Sequence, residues 1–347
     1  MMSKWSVIFW DVGQGDATDI TLPDGSHVLI DAGPLSKWGN PLVWWFARNG
    51  RPAVELAIMT HSHLDHFGGF VTLCEDDGQS IRKFRFLPDA EIRKQRDERV
   101  GDLNDLLDAL RIRKGRGITD VSLLKKPDVL ISRDGLCLKM VYPLDISKDV
   151  AIPADVNKTS MVLVLEKEST HEPLIVWGGD NSLAHIKKSC NGLSPFILMG
   201  PHHGHPQGRH KVPEYWRFFN KCLHPHCVFV SVGREHRKLP DAHYVKGASC
   251  AGIKVCCSQL AKHCDENRTT DVYGGSGVLG LFKPKDAQGK ESVQCRGAMR
   301  VYASADEGVK FDEFQESYER EIAAILPGAP CKCRRLSDNG GASEKRK

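Results

Sequence analysis

The sequence has no run of about 20 apolar residues, the length that a helix needs to cross a bilayer. It also lacks the apolar core of a signal peptide near residue 1. Both absences argue against an integral membrane protein or a secreted one. We therefore expect a cytoplasmic protein that has no membrane partner.

Paired cysteines with the CxxC spacing of many structural zinc sites are also missing, although the chain has twelve cysteines. In the cytoplasm these cysteines are expected to be reduced thiols. The densest group is formed by Cys250, Cys256, Cys257 and Cys264. The sequence leaves open whether this group binds zinc.

A strong excess of either charge is lacking as well, because the chain has 48 basic and 44 acidic residues and a net charge of +4. Any binding of nucleic acid would therefore depend on a local basic surface. The length of 347 residues and the apolar content of 41% suit one large α/β domain with additions.

What the sequence does contain is a dense group of potential metal ligands directly after an apolar segment. Residues 54–59 have the length and composition of a buried strand, and His61-Ser62-His63-Leu64-Asp65-His66 follows. Imidazole and carboxylate groups suit zinc, manganese or iron. His61 and His63 alternate and can face one ion, while Asp65 and His66 can face a second. A polar loop with scattered histidines is the alternative, but such a loop rarely reaches this density of ligands.

These residues resemble the HxHxDH signature of the metallo-β-lactamase-fold hydrolases. Further segments are similar to motifs of the ComEC-type branch, which is named for the hydrolase domain of a DNA-uptake channel. They occur in family order over roughly residues 5–280: Phe9–Ala17 with DVGQGDA, Leu29–Gly33 with LIDAG, Asn157–Ser160 with NxxS, Gly178–Asp180 with GD, and Pro201–Gly204 with PHHG.

The resemblance implies an α/β fold, a four-layer αβ/βα sandwich with two mixed β-sheets. We expect the hydrolase domain to span residues 1–305, with a basic insertion at 81–126. A C-terminal helix and linker are predicted for residues 306–335, and a disordered tail for 336–347. The channel of the ComEC proteins would be absent, which implies a soluble stand-alone protein.

The resemblance also implies a centre of two divalent ions, Zn²⁺ or Mn²⁺ with Mg²⁺ as a further possibility. The expected ligands are His61, His63, Asp65, His66, Asp180, His202, His203 and His243, and which histidine of the 202–203 pair faces the metal stays open. Asp65 or Asp180 would accept the proton of the attacking water, and His203 or His243 would protonate the leaving group. Residues expected to support the ligands or to contact substrate are Asp31, Asp16, Gln14, Asn157 and Ser160.

The region predicted as an insertion has a dense run of cations, Arg111, Arg113, Lys114 and Arg116, which we predict to bind a nucleic-acid backbone. Leucines at 103, 106, 107 and 110 recur at helical spacing and predict one buried stripe. The alternative is a solvated helix whose mixed charges have no ligand.

The function predicted from these features is that of a metal-dependent hydrolase. A phosphodiesterase or nuclease acting on DNA or RNA through a metal-activated water is favoured. The alternatives are a hydrolase of small molecules (a cyclic nucleotide, phosphocholine ester, lactone or thioester) and a regulatory subunit with a vestigial site. The predicted C-terminal helix could bind a protein partner, and the oligomeric state stays open.

Overall fold

The computed structural model describes residues 4–37, 39–91, 101–144, 156–205, 211–234, 239–262, 264, 269, 289 and 293–312. A hairpin predicted from the glycine-rich segment 271–282 lies outside these residues. So do the tail and most of the predicted C-terminal helix.

The first sheet has eight strands and consists of an antiparallel part and a parallel part. Its strands are β1 (Trp5–Phe9), β2 (Ala17–Thr21), β3 (His27–Ala32), β4 (Val54–Ile58), β5 (Lys83–Phe86) and β6 (Asp120–Leu123), with β14 (Met299–Ser304) and β15 (Gly308–Phe311) from the end of the described chain. The spatial order is β15-β14-β1-β2-β3-β4-β5-β6. Pairing is antiparallel from β15 to β3 and parallel from β3 to β6.

The second sheet is built in the same way from seven strands. They are β7 (Asp128–Arg133), β8 (Leu136–Tyr142), β9 (Val162–Lys167), β10 (Pro173–Trp177), β11 (Ile197–Met199), β12 (Cys227–Val230) and β13 (Lys254–Cys257). Pairing is antiparallel from β7 to β10 and parallel from β10 to β13. Both sheets are therefore mixed, as the sequence predicts.

Helices cover the outer face of each sheet, and the two inner faces meet in a core that contains Trp5, Phe9 and Phe229. The helices α1 (Pro41–Arg48), α2 (Leu64–Glu75) and α3 (Gly101–Gly115) share a cluster with the first sheet. The helices α4 (Leu183–Cys190), α5 (Val212–Lys221) and α6 (Ala242–Cys250) share another with the second sheet. This arrangement confirms the predicted four-layer sandwich. None of the helices in the described ranges has the length and apolarity required to span a bilayer.

The region predicted as an insertion, residues 81–126, supplies two parallel strands of the first sheet and helix α3. Phe84 and Phe86 of β5 are buried, whereas Lys83 and Arg85 lie on the other face of the strand. Two cations of the segment thus belong to the alternate face of a strand whose apolar side chains are buried. The predicted leucine stripe of α3 is buried and is confirmed.

The predicted boundary between the hydrolase domain and a C-terminal helix at residues 305 and 306 also needs correction. Gly308–Phe311 forms β15, which pairs with β14 in the first sheet. Phe311, within the segment predicted as a C-terminal helix, packs against Phe196 beside the core between the sheets. The sheet therefore extends past residue 305.

Candidate metal centre

The candidate ligands converge because they follow strands whose carboxyl ends point to one edge of the sandwich. His61 to His66 follow β4, and Asp31 lies near the end of the parallel neighbour β3. Asp180 follows β10, and the histidine pair follows the parallel neighbour β11. In open α/β sheets, crevices at the carboxyl ends of strands are the usual ligand sites.

One set of ligands, which we name the His61 group, consists of His61, His63, His202 and the Oδ2 atom of Asp180. The Nε2 atom of His61 lies 3.2 Å from Nδ1 of His63 and 3.6 Å from Asp180 Oδ2. The Nε2 atom of His202 lies 3.7 Å from the same oxygen. Ligand atoms about 2.1 Å from a tetrahedral zinc ion are roughly 3.4 Å apart. These three separations are close to this value.

A second set, the His66 group, consists of Asp65, His66, His203 and the Oδ1 atom of Asp180. Asp180 Oδ1 lies 3.2 Å from His66 Nε2 and 3.5 Å from His203 Nε2. Asp65 Oδ2 lies 3.4 Å from His203 Nε2. The distances again match the spacing of ligands around one ion.

Three buried atoms of the His66 group test whether a cation fits there. His66 Nε2, His203 Nε2 and Asp180 Oδ1 are all buried and have no hydrogen-bond partner. Buried polar atoms are normally satisfied, so each such exception requires an explanation. These atoms approach one another without hydrogen-bond geometry, as the ligands of a shared ion do. The residues therefore fit a divalent cation.

The histidine pair reaches both groups because of an unusual backbone turn at 201–204. His202 and His203 both have left-handed φ angles, 51° and 52°. Such conformations are costly for residues other than glycine and are concentrated at functional sites. The turn directs His202 to one oxygen of Asp180 and His203 to the other. In this geometry each histidine of the pair faces a different oxygen of Asp180.

Two buried carboxylates lie beside the Nδ1 atoms of the histidines of the His66 group and orient these imidazoles. Asp31 Oδ2 lies 2.8 Å from His66 Nδ1, and Asp16 Oδ1 lies 3.2 Å from His203 Nδ1. The carbonyl of Ser231 also lies 3.1 Å from His203 Nδ1. With Nδ1 occupied by these acceptors, the Nε2 atoms face the candidate ion, which is the common arrangement for ligating histidines.

The orientation of His61 depends on two hydroxyl groups. Its Nδ1 lies 3.1 Å from Thr60 Oγ1 and 3.2 Å from Ser160 Oγ. The hydroxyl of Thr60 donates to Asp31, and the hydroxyl of Ser160 accepts the Asp180 N–H. The Nδ1–H of His61 can therefore donate to Thr60, which leaves the Nε2 lone pair for a metal.

The other predicted supporting residues lie farther from the ligands. Asn157 Nδ2 lies 3.5 Å from His202 Nε2, at the border of the His61 group. Gln14 accepts the Gly233 N–H at 3.5 Å and so joins two loops beside the site. Thr60 and Ser231 were missed by sequence reasoning, since a hydroxyl or a carbonyl next to a ligand carries no signal of its own.

Glycine is required at position 15 for the loop that carries Asp16. Gly15 has a φ of 137°, and a Cβ atom there would lie 2.2 Å from the carbonyl oxygen of Asp65. The N–H of Asp16 donates to that same carbonyl at 3.1 Å. Only glycine permits this close approach between the loop and the ligand segment.

The electrostatics of the cluster favour positive charge among the ligands. Burial lowers the pKa of His61 to about 3 and the charge of His66 adds to the effect, so His61 is neutral. Burial opposes protonation of His66, but Asp180 and Asp31 outweigh it and raise the pKa of His66 well above its usual value. His203 behaves in the same way beside Asp180 and Asp16, which raise its pKa. Without a metal, protons on these two histidines balance the buried carboxylates.

Asp180 stays ionised despite its burial, because the charges of His66 and His203 hold its pKa well below the usual range. Burial raises the pKa of Asp65, but the nearby imidazoles of His203 and His66 lower it by more. Two ionised carboxylates in one buried cluster form a strong site for a divalent cation.

The structure does not bring His243 to either ligand group. It lies in the first turn of α6, its side chain is 59% exposed, and its Nδ1 lies 3.4 Å from Asp241. The expected roles of His243 as ligand and as proton donor are therefore not supported. The groups of potential ligands found among the described residues contain no cysteine either.

The predicted nucleic-acid contact of Arg113 is wrong, because this side chain is buried. Its guanidinium donates to the carbonyls of Cys74, Asp76 and Gln79. It thus binds the C-terminal end of α2, whereas the metal ligands lie at the other end of this helix, roughly 18 Å away.

The neighbouring cations lie at the same end of α3 as Arg113, and two of them face carboxylates. Arg111 pairs with Asp108 at 2.8 Å, and Arg116 lies 3.5 Å from Asp77. Lys114 is exposed in the same last turn of α3. The structure therefore does not place this run beside the candidate metal centre.

Comparison with known protein families finds similarity in the segment that carries the histidine-rich loop. The family model of the metallo-beta-lactamase superfamily matches residues 10–85. No curated protein sequence matches the chain significantly.

Several solved structures are similar to the chain at low identity. Igni18, a metallo hydrolase from the archaeon Ignicoccus hospitalis KIN4/I, is 16% identical with a TM-score of 0.42, over 72% of this chain and 94% of that one. Zn²⁺-bound PqqB from Methylobacterium extorquens is 10% identical with a TM-score of 0.45, over 74% of this chain and 98% of that one. Unliganded yeast PDE1 is 11% identical with a TM-score of 0.36, over 76% of this chain and 90% of that one.

The family match covers β2 to β5 and includes every ligand from His61 to His66. The fold adds two mixed sheets with helices on both outer faces. Together with the buried cluster of histidines and aspartates, these findings describe a fold of two mixed sheets with a candidate metal centre, in which residues 10–85 are similar to the metallo-beta-lactamase superfamily.

Proposed function

We propose that the protein is a phosphodiesterase of the ComEC-type branch, and that it holds two divalent ions on either side of Asp180. The observation that carries the proposal is the division of this carboxylate. Its Oδ2 atom faces His61 and His202, while its Oδ1 atom faces His66 and His203. Two-metal phosphoryl-transfer sites require ions about 3.5–4 Å apart, and one carboxylate with an oxygen for each ion suits this spacing.

The donor set favours Zn²⁺ or Mn²⁺ over Mg²⁺, since the ligands include five imidazoles. Ions bound here would lower the pKa of a water molecule and stabilise negative charge on a phosphoryl oxygen. The remaining requirement is a group that accepts the proton of the water.

Asp65 is the carboxylate of the site best placed to accept that proton. Its side chain is 32% exposed, whereas that of Asp180 is 3% exposed and has both oxygens directed at imidazoles. His203 is 2% exposed, with Nδ1 held by Asp16 and Ser231 and Nε2 among the ligands. We therefore propose that His203 binds a metal ion and does not protonate a leaving group.

The substrate class that we propose is a nucleic-acid backbone, DNA or RNA. The support for it is the resemblance to the DNA-processing branch in the loops at residues 9–17, 157–160 and 201–204. The basic end of α3 no longer contributes to this argument, because it lies at the opposite edge of the sheet. Hydrolysis of small phosphodiesters is the main competing activity.

The test is to strip the protein of metal, reload it with Zn²⁺, Mn²⁺ or Mg²⁺, and offer matched substrates. These are bis(p-nitrophenyl) phosphate, labelled single- and double-stranded DNA and RNA, a lactone and a thioester. We expect metal-dependent cleavage of the phosphodiesters. Asp180→Ala and His63→Ala should lower kcat/KM, the former by roughly 10³-fold or more.

Cleavage of the lactone or thioester alone would contradict the proposal of a phosphodiesterase. Cleavage of the chromogenic ester without DNA or RNA would restrict it to small substrates. A reloaded protein that retains no metal would instead favour a regulatory subunit with a vestigial site.

A further inference from the structure

The residue between the first two histidine ligands is held by a carboxylate that has no predicted role. The N–H of Ser62 donates to Oδ2 of Asp89 at 2.9 Å. Ser62 and Asp89 are both almost completely buried, with exposed fractions of 0% and 1%. A carboxylate is rarely buried to this degree unless its hydrogen bonds compensate for the loss of water.

Asp89 approaches the metal loop from the side opposite to Asp31. Strand β4, which precedes the loop, lies between β3 and β5 in the first sheet. Asp31 ends β3 and accepts the N–H of Thr60 at 2.8 Å. Asp89 follows β5 and accepts the N–H of Ser62. Carboxylates from both neighbouring strands thus hold alternate N–H groups of the loop.

This arrangement matters because the loop itself has no regular hydrogen-bond ladder at Ser62. Hydrogen bonds from a backbone N–H to a buried carboxylate are charge-assisted and stronger than neutral ones. His61 and His63 flank Ser62, so a shift of its peptide group moves both imidazoles together. Ligands must be held within about 0.5 Å of their productive geometry.

We propose that Asp89 is a positioning residue of the metal centre, which fixes the spacing of His61 and His63 through the N–H of Ser62. The inference rests on the proposed metal centre. It predicts that loss of the acceptor oxygen weakens metal binding at the His61 group, while the fold of the remaining domain is retained.

The test compares Asp89→Ala and Asp89→Asn with the wild-type protein. Asn retains an oxygen that can accept the Ser62 N–H, whereas Ala does not. We expect Asp89→Ala to lower the affinity for Zn²⁺ by about 10–100-fold, the usual cost of losing a group that supports a ligand. Asp89→Asn should remain close to wild type. The absorption spectrum of the Co²⁺-substituted Ala variant should change, since its ligands would be displaced.

A matched control is Asp19→Asn, which alters a fully buried carboxylate paired with His27 at the other end of β3. This change should lower the melting temperature without changing the affinity for Zn²⁺. Hydrogen exchange of the metal-free protein gives a second readout. Peptides covering residues 60–63 should exchange faster in Asp89→Ala, while those of α2 and β3 stay unchanged.

If Asp89→Ala fails to fold, Asp89→Glu and Asp89→Asn decide the matter. Glu keeps the charge but displaces the oxygen, so it should bind Zn²⁺ more weakly than Asn does. The reverse order, or an Ala variant with wild-type affinity and an unchanged Co²⁺ spectrum, would overturn the proposal. A wild-type protein that binds no metal would instead refute the metal centre itself.

Discussion

At the scale of single residues, the left-handed conformation of His202 and His203 determines which oxygen of Asp180 each imidazole faces. In an ordinary turn, consecutive side chains diverge and only one of them would reach a common carboxylate. Here both have positive φ angles, and each faces a different oxygen of Asp180. A motif with two adjacent histidines does not reveal this, because the sequence gives no sign of the backbone conformation.

We predict that His202→Ala and His203→Ala each reduce the bound metal from two ions to one per chain. Each variant removes a ligand from only one group, so the other group keeps its full set. Metal analysis after dialysis against a weak chelator provides the measurement. His171→Ala is the control, since His171 is 75% exposed and lies in a turn between β9 and β10. Loss of both ions in either variant would show that the two groups are not separable.

The raised pKa values of His66 and His203 predict how the metal-free protein responds to pH. Their protonation stabilises the fold fully below about pH 6.5, the usual histidine pKa. This stabilisation is lost as the pH rises through the raised values. Thermal unfolding of chelated protein should therefore show a falling melting temperature above neutral pH. Protein loaded with Zn²⁺ should not show this fall, because the ion replaces the protons. An equal response of both forms would contradict the assignment.

At the scale of secondary structure, the two ends of helix α2 have different roles. Its first turn carries Asp65 and His66, and its last carbonyls accept hydrogen bonds from Arg113. Basic residues near the end of a helix are favourable for its dipole. Arg113 belongs to α3 and therefore joins the two helices rather than extending a ligand surface.

We predict that Arg113→Ala lowers the free energy of unfolding by about 2–4 kcal/mol, because it leaves several buried carbonyls without a donor. Urea unfolding measures the effect. Arg111→Ala is the matched control, since Arg111 is 70% exposed and its ion pair is worth less than about 1 kcal/mol. Neither change should alter the affinity for Zn²⁺. Equal stability of the two variants would show that the burial of Arg113 contributes little.

Elements with a local signal could be predicted from the sequence, and those defined by distant pairing could not. The strands around residues 54–58, 136–142 and 162–167 are apolar or alternate, and the structure contains them. Residues 308–311 pair with a strand that in turn pairs with β1, about 300 residues away in sequence. The prediction of a C-terminal helix and linker for residues 306–335 gave no indication of this pairing.

At the scale of the whole molecule, the candidate centre joins the two sheets. Asp16, Asp65 and His66 come from the first sheet, whereas Asp180 and His203 come from the second. The loop ligands at 61–66 were predictable because they lie close together in sequence. Asp89 was not, since one aspartate in a segment of mixed charge resembles any solvated residue.

We predict that metal binding raises the stability of both halves together. A ligand at 100 times its Kd contributes about 2.7 kcal/mol to the folded state. The melting temperature should rise with Zn²⁺ concentration, and hydrogen exchange should slow near residues 61–66 and near 201–204 alike. The Asp180→Ala variant should lose most of this response. Protection of the first sheet alone would mean that the second sheet does not contribute ligands.

The residues of the His61 group and the His66 group follow the carboxyl ends of strands, so the opposite edge of the sandwich lies away from the candidate metal centre. The turn between β2 and β3 lies there, with Asp24 and Gly25 exposed and open space around Gly25. A fluorophore, an affinity tag or a surface anchor attached at this turn would leave the crevice clear. The protein could thus be immobilised in one orientation, with its metal centre turned toward the solution.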